Sequence, residues 1–419
     1  MTVFLEGFLP YFFILSVLFL SSFPYYSVSF SMASSLVFDG SSLFMVLLTF
    51  FVLYLSYFFS FSFTQPVLTD LIFLCTLVPC FFVFFVRHGL LLYISYEVSL
   101  LPILYIIVKW GSYSDRSLRA LMLLVYTRIF SFPLIVGLFY LYTSSNTFSL
   151  FVILPSFTSP LFLSLLIFFS FSVKLPIYGL HFWLPMAHVE APTFGSIILA
   201  GILLKLGGVG LIRFSLYLNV LSLKPLFTSY LLFFLLFSCI VCCFQSDFKR
   251  LVAYSSVAHM IAVPITLFSC SLLGQKTAIF LMLFHGLRSP VLFSIVGVIY
   301  SYSSTRQLAL VRGLLLASPF LSFVCIFSFL FTLSAPPYVS FFSEVLFFIC
   351  SIFVTSYSLP FLLLFCFMCL VYNLNWLSAL LFSSSSSFNF SFSLQHVSAY
   401  PLFLSHVFSF LLLFFSPLC

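Results

Sequence analysis

Charge is what this 419-residue chain lacks. It has 15 basic and 8 acidic side chains, 5% of the total, where soluble proteins carry roughly 25%. A water-facing shell cannot be tiled from so few ions, which argues against a soluble enzyme, a nucleic-acid binder or a charged scaffold. The net charge of +7 comes from bases scattered singly, with no basic stripe of the kind that grips nucleic acid. The first Lys or Arg is Arg87. The N-terminal region therefore has neither the basic start of a secretory signal nor the Arg-rich face of a mitochondrial transit peptide, and insertion without a cleaved address is expected. Glycine-rich nucleotide loops are also lacking. Gly207-Gly208-Val209-Gly210 lies inside an apolar run with no strand before it, so its small residues read as a place where helices approach closely.

What the chain has is apolar surface: 63% of residues are hydrophobic and the mean hydropathy is +1.29. Phenylalanine alone supplies 65 residues. Packing does not demand that much Phe where Leu would serve, but a thymine-rich coding sequence yields it by default, which points to an organelle genome. Eleven cysteines include two close pairs, Cys239 with Cys242 and Cys366 with Cys369. Both pairs sit in unbroken apolar runs without the His, further Cys or charge compensation that zinc or iron–sulfur ligation needs. They read as small hydrophobes of packed helices, with no cluster, no metal and no disulfide framework.

Runs long enough to cross a bilayer, about 20 residues each, cover 3–23, 41–63, 67–87, 89–109, 117–142, 150–190, 193–215, 226–245, 250–270, 276–301, 309–356, 360–382 and 398–416. That is about 13 transmembrane helices. In lipid every backbone group needs an internal partner, and no run alternates apolar with polar as barrel strands do. The expected fold is an all-α polytopic membrane protein. Four regions follow: N-terminal helices over 1–65, a first helical unit over 66–215, a second over 226–382, and a serine-rich loop with a last helix over 383–419.

Two of these runs are too long for one crossing and contain breakers. One holds Lys174-Leu175-Pro176 with Pro185 and Pro192 beyond it, and the other holds Ser334-Ala335-Pro336-Pro337 followed by Glu344. Proline removes a helix hydrogen bond and displaces its predecessor from helical geometry. Such interruptions survive at membrane depth only inside protein or against a watery cavity. Placed five helices apart, the breaks predict two inverted five-helix repeats, each with a proline-broken helix.

An ionisable group deep in a bilayer costs about 2.5 to 3.5 kcal/mol on insertion scales, so each one is a functional candidate. Glu97, Lys174, Lys205, His259, His285 and Glu344 all stand in apolar sequence. Acids, lysines and histidines spread over successive helices are the parts of a proton path. A desolvated lysine and a movable carboxylate together load and unload a proton, and histidine relays one between its two nitrogens. Static ion pairs, or interhelical hydrogen bonds for the histidines, are the competing readings. Arg128 is expected to face the bundle interior and pair with a carboxylate such as Glu97, and Arg288 brings a like charge one turn after His285. His181, Trp183 and His188 read as helix-end ordering groups. Lys109, Arg116, Arg119, Lys249, Arg250, Arg306 and Arg312 read as loop or helix-end charges that reach the interface on long stems.

The stretch KLPIYGLHFWLPMAHVEAPTFGSIILAGILLKLGGVGLIRF, Lys174 to Phe214, closely resembles the subunit 4 family of antiporter-like membrane subunits in mitochondrial NADH:ubiquinone oxidoreductase, respiratory complex I. The resemblance continues in SDFKRLVAYSSVAHM, in FHGLRSPVLFS and in APPYVSFFSE ending at Glu344, and covers about residues 90 to 360. It implies inverted five-helix repeats, as the prolines do separately. It also implies that Glu97, Lys174, Lys205, His259, His285 and Glu344 form a hydrated axis that translocates protons. The family usually has 14 helices, so one N-terminal helix fewer is expected here, and uncharged residues usually stand at Arg128 and Arg288.

The function expected from the resemblance is proton pumping coupled to NADH oxidation by ubiquinone, in the mitochondrial inner membrane, with other membrane-arm subunits, neighbouring antiporter-like ones above all, and lipids as partners. No Rossmann fingerprint or cysteine cluster is present. No cofactor is therefore expected in this chain, while NADH, FMN, iron–sulfur clusters and ubiquinone belong to other subunits. The alternative is a subunit of a non-redox cation/proton antiporter, which the same residues would serve.

Overall fold

Hydrophobic runs without charge satisfy their backbones in lipid most simply as helices, and the long apolar runs among the described residues do so. The computed structural model describes residues 30–33, 36–60, 66–111, 114–145, 148, 161–215, 224–269, 271–336 and 338–382. The spans expected at 3–23 and 398–416 lie outside the described residues. A small hairpin, β1 (Phe30–Ala33) and β2 (Leu36–Phe38), is antiparallel and has no counterpart in the all-helical expectation.

The helices follow in order: α1 (Gly40–Ser60), α2 (Pro66–Phe85), α3 (Gly89–Val98), α4 (Leu101–Trp110), α5 (Arg116–Ser145), α6 (Leu161–Ser172) and α7 (Trp183–Glu190). Next come α8 (Thr193–Ile198), a π-helical segment at Leu199–Leu203, α9 (Leu204–Arg213), α10 (Lys224–Cys243), α11 (Phe248–Phe268) and α12 (Leu272–Ser303). The last are α13 (Leu314–Ala317), α14 (Pro319–Thr332), α15 (Val339–Val354) and α16 (Leu359–Leu381). Nine helical stretches among the described residues are long and apolar enough to cross a membrane. Serine and threonine are tolerated inside them because their hydroxyls donate to the carbonyl three or four residues back. Ser56 to Leu53, Thr76 to Phe73 and Ser238 to Leu235 are examples.

Both expected interruptions are present. The chain turns between α6 and α7 at Lys174 and Pro176, and between α14 and α15 at Ser334 to Pro336. The 89–109 span also steps once, at Ser99-Leu100 ahead of Pro102, between α3 and α4.

Burial separates a core from a rim. The Thr193–Arg213 and Phe248–Phe268 spans are 94% buried, whereas Arg116–Thr143 and Ser356–Leu381 are 33% buried and face outward. α12 packs against α1, α8, α11 and α15, so it runs through the middle of the bundle. The glycine run does bring helices together: a side chain at Gly207 would meet the backbone of Phe171 and Leu175 at 3.1 and 2.8 Å. The ionisable residues on α9, α11 and α12 are thereby held deep in protein rather than in lipid.

Candidate functional site

The six candidate residues fall into three neighbouring groups, each beside an irregularity in a helix. Lys174 sits where α6 ends. The break exposes backbone groups that need partners, and Trp183 of α7 donates its indole N–H to the Val173 carbonyl at 2.9 Å. Lys174 is fully buried. Its ammonium donates to the Tyr96 carbonyl at 2.5 Å and stands 3.1 Å from the centroid of the Tyr96 ring. Glu97 follows Tyr96 at the end of α3, and its Oε2 is 3.2 Å from Nη1 of Arg128 on α5.

This geometry fixes the partner of Glu97 and corrects one expectation. Glu97 and Lys174 lie within electrostatic reach of each other, but the direct partner of Glu97 is Arg128. Arg128 pairs with Glu97 as expected, yet its side chain is 50% exposed on the outside of the bundle. It reaches inward from the rim because α5 is a peripheral helix.

Lys205 opens α9 immediately after the π-helical segment. A π turn leaves a carbonyl without its usual helical donor, and the Lys205 ammonium donates to Ala200 O at 2.5 Å. Its other contact is Nδ1 of His285 on α12, at 2.8 Å. Gly286 makes room for this, since a Cβ there would stand 3.0 Å from Cε of Lys205.

Glu344 on α15 accepts a 2.5 Å hydrogen bond from Ser334, which adopts a left-handed φ of 50° within the second break. Oε1 of Glu344 is 4.0 Å from Nδ1 of His259 on α11. Nε2 of His259 has no hydrogen-bond partner among the described residues. Arg288, one turn beyond His285, donates to the carbonyl of Thr332 at 3.2 Å, which is the group that the end of α14 leaves free. His259, Arg288, Thr332, Tyr372 and Asn373, together with Leu251, Val252 and Leu292, line a cavity of about 10 Å³, at the lower limit of the space one water needs.

Among the described residues no direct hydrogen bond links the three groups. What the arrangement offers chemically is a series of proton donors and acceptors, buried on α3, the first break, α9, α12 and α11 and part-buried on α15, whose gaps require small motions or water.

A further polar cluster was not legible as such. Glu190, wholly buried at the end of α7, pairs with Arg119 of α5 at 2.9 Å. Lys249 of α11 is buried and donates to the Ala191 carbonyl, and Arg306 donates to Val189 O at 2.9 Å. Lys249, expected at the interface, is instead drawn inward by the free carbonyls and the acid at the end of α7. Helix-end ordering describes His181, which accepts from the Gly179 N–H, and Trp183. His188 is buried against Phe293, ring on ring at 4.4 Å. The two cysteine pairs meet each other, with Cys239 and Cys369 sulfurs 3.9 Å apart between α10 and α16. Among the described residues no His, Cys, Asp and Glu side chains cluster as metal ligands do.

Residues 87–372 match the family model described as NADH:quinone oxidoreductase/Mrp antiporter, transmembrane. A protein of Arbacia lixula named NADH-ubiquinone oxidoreductase chain 4 is 42% identical over 247 residues, 56% of this chain and 53% of that one. The protein of the same name from Chondrus crispus is 37% identical over 333 residues, 77% of this chain and 67% of that one. The matched region thus spans about half the length of the first curated relatives. A chain of the solved structure "Respiratory complex I from Thermus thermophilus with bound NADH" superimposes with a TM-score of 0.80 at 20% identity, covering 97% of this chain and 89% of that one. That likeness establishes the fold alone. From residue 87 to residue 372, the chain belongs to the family of membrane-spanning subunits shared by NADH:quinone oxidoreductases and Mrp antiporters.

Proposed function

We propose that the chain is a proton-translocating membrane-arm subunit of respiratory complex I, coupling NADH oxidation by ubiquinone to proton pumping. The observation that carries this reading is the series of buried Glu97, Lys174, Lys205, His285 and His259 with the part-buried Glu344, ordered around two broken helices. Relatives named as chain 4 of NADH-ubiquinone oxidoreductase favour the redox complex over a free-standing antiporter.

Redox energy released in other subunits shifts Glu97 and Arg128 relative to Lys174. Lys174 then yields its proton toward Lys205, the Lys205–His285 contact passes it on, and His259 and Glu344 exchange it with the far side. The two breaks support a division into two inverted five-helix units, 66–215 and 226–382, each centred on one broken helix. NADH, FMN, iron–sulfur clusters and ubiquinone are held by other subunits. The subunit resides in the mitochondrial inner membrane beside neighbouring antiporter-like subunits, and the phenylalanine-rich composition favours mitochondrial encoding.

The test is co-purification from native membranes. Enrichment of the chain with NADH:ubiquinone reductase activity supports the proposal. Enrichment away from that activity, with sodium-dependent proton flux that needs no redox input, would replace it with the antiporter reading.

A further inference from the structure

The Arg128 guanidinium is a cation on the wrong side of its helix. α5 is a 30-residue helix, about 45 Å long at roughly 1.5 Å per residue. Arg128 lies 12 residues from its first residue, Arg116, so about 18 Å in. If the helix is centred on a hydrocarbon layer of about 30 Å, the guanidinium sits about 10 Å below the nearer boundary, too deep for its stem to carry it to a lipid headgroup. Around it the same outer face shows Leu121, Val125, Ile129 and Phe132, all exposed. Half of the arginine side chain is exposed with them.

Glu97 does not balance this site by itself. Its carboxylate meets a single guanidinium nitrogen, and Lys174 lies within electrostatic reach of both Glu97 and Arg128. With Lys174 protonated, two cations share one carboxylate, leaving one positive charge in excess in a low-dielectric setting. A guanidinium presents a fork suited to a second carboxylate, and half of the Arg128 side chain is left uncovered for one.

We propose that the outer face of α5 around Arg128 docks a transmembrane helix of another subunit, which presents an Asp or Glu carboxylate to the guanidinium. The proposal rests on the reading of the chain as one subunit of a membrane complex. The second acid supplies the missing negative charge. Arg128 then positions Glu97: when the partner acid holds the guanidinium, Glu97 is released toward Lys174, and when it withdraws, Arg128 keeps Glu97 for itself. An apolar partner helix or a lipid chain fails on charge complementarity, and an anionic headgroup fails on depth.

The experiment places a photoreactive phenylalanine analogue at Phe132, one turn from Arg128 on the same exposed face, in the intact complex in its native membrane. Illumination and mass spectrometry of the adducts follow. The expected adduct joins this chain to an apolar span of another subunit that contains an Asp or Glu, and Arg128→Leu lowers its yield at least tenfold while Arg128→Lys retains most of it. Adducts to lipid alone, adducts to a span without an acid, or a yield unaltered by Arg128→Leu each overturn the proposal. Should Arg128→Leu prevent assembly, the adduct's identity in the chain with Arg128 intact decides alone. Proton pumping does not enter this readout, so a docked acid in a complex without redox activity would overturn the complex I reading and leave the docking surface standing.

Discussion

Alanine at Gly210 would disable the site without touching a charged group. A Cβ at this position would lie 2.2 Å from Cε1 and 2.4 Å from Cδ1 of Phe171, where carbon pairs rest at about 3.5 Å. The ring must retreat by about 1 Å to remove that overlap. It is wholly buried, with Phe214 against one side at 5.6 Å between centroids and Tyr96 edge-on at 5.4 Å. Any retreat therefore presses on Tyr96, whose carbonyl and ring hold the Lys174 ammonium. Overpacking of this kind costs about 1 to 3 kcal/mol, and a displacement of about 1 Å at reacting groups costs up to about 100-fold in rate. Gly208 is the control. Its Cβ would lie 2.1 Å from Sδ of Met282, but a thioether on a flexible stem rotates away. The assay is NADH-driven proton uptake by vesicles containing the complex, normalised to assembled complex. Gly210→Ala is expected to lower uptake at least about tenfold, and Gly208→Ala to leave it near the unsubstituted level. Equal losses in both would refute the distinction between rigid ring and flexible chain. Full activity in Gly210→Ala would refute the coupling of Phe171 to the lysine.

Other substitutions probe the remaining parts. Ser334→Ala removes a hydrogen bond to a carboxylate, worth about 1.5 to 3 kcal/mol, and keeps a Cβ at positive φ without that bond; Ser334→Gly removes the same bond but relieves the backbone. Both should slow proton uptake, with the alanine form also inactivating faster on heating. Trp183→Phe leaves the Val173 carbonyl without its donor at the first break, an unsatisfied buried group that costs about 1 to 3 kcal/mol, and should shorten the half-life of the complex at elevated temperature. Glu190→Gln leaves Arg119, among the described residues, with only the exposed Asp115 at 3.8 Å. Breaking a buried pair costs about 3 to 5 kcal/mol, and because Arg119 is a quarter exposed the expected loss falls to about 2 kcal/mol. Thermal inactivation of Glu190→Gln, Arg119→Gln and the double variant measures it, with the double variant more stable than Glu190→Gln.

The helical class and both interruptions are legible in the sequence because they rest on signals that tertiary structure does not override: scarce charge, long apolar runs, and proline beside Lys174 and at Pro336. The buried ionisable residues are legible for the same reason, as exceptions in apolar text. Their pairing is legible only in part. Arg128 meets Glu97 as expected, but that it does so from the rim, while Lys174 is held through Tyr96, depends on how α5 packs beside α3. The π turn at Leu199–Leu203 is equally hidden, since a uniformly apolar run has no polar face to mark a change of helical phase. Lys249 misled because a base in the first turn of a helix ordinarily reaches water, whereas here the carbonyl of Ala191 and the carboxylate of Glu190 lie beneath it. The Cys239–Cys369 contact required knowing that α10 lies against α16.

The central claim is that the buried series carries the protons. The most direct test measures protons moved per electron pair in sealed vesicles containing the complex with Lys205→Met, which preserves length while removing the ammonium from between Ala200 and His285. The account predicts a lower ratio, or redox turnover that falls in step with pumping and recovers with an uncoupler. An unaltered ratio at unaltered turnover would contradict it.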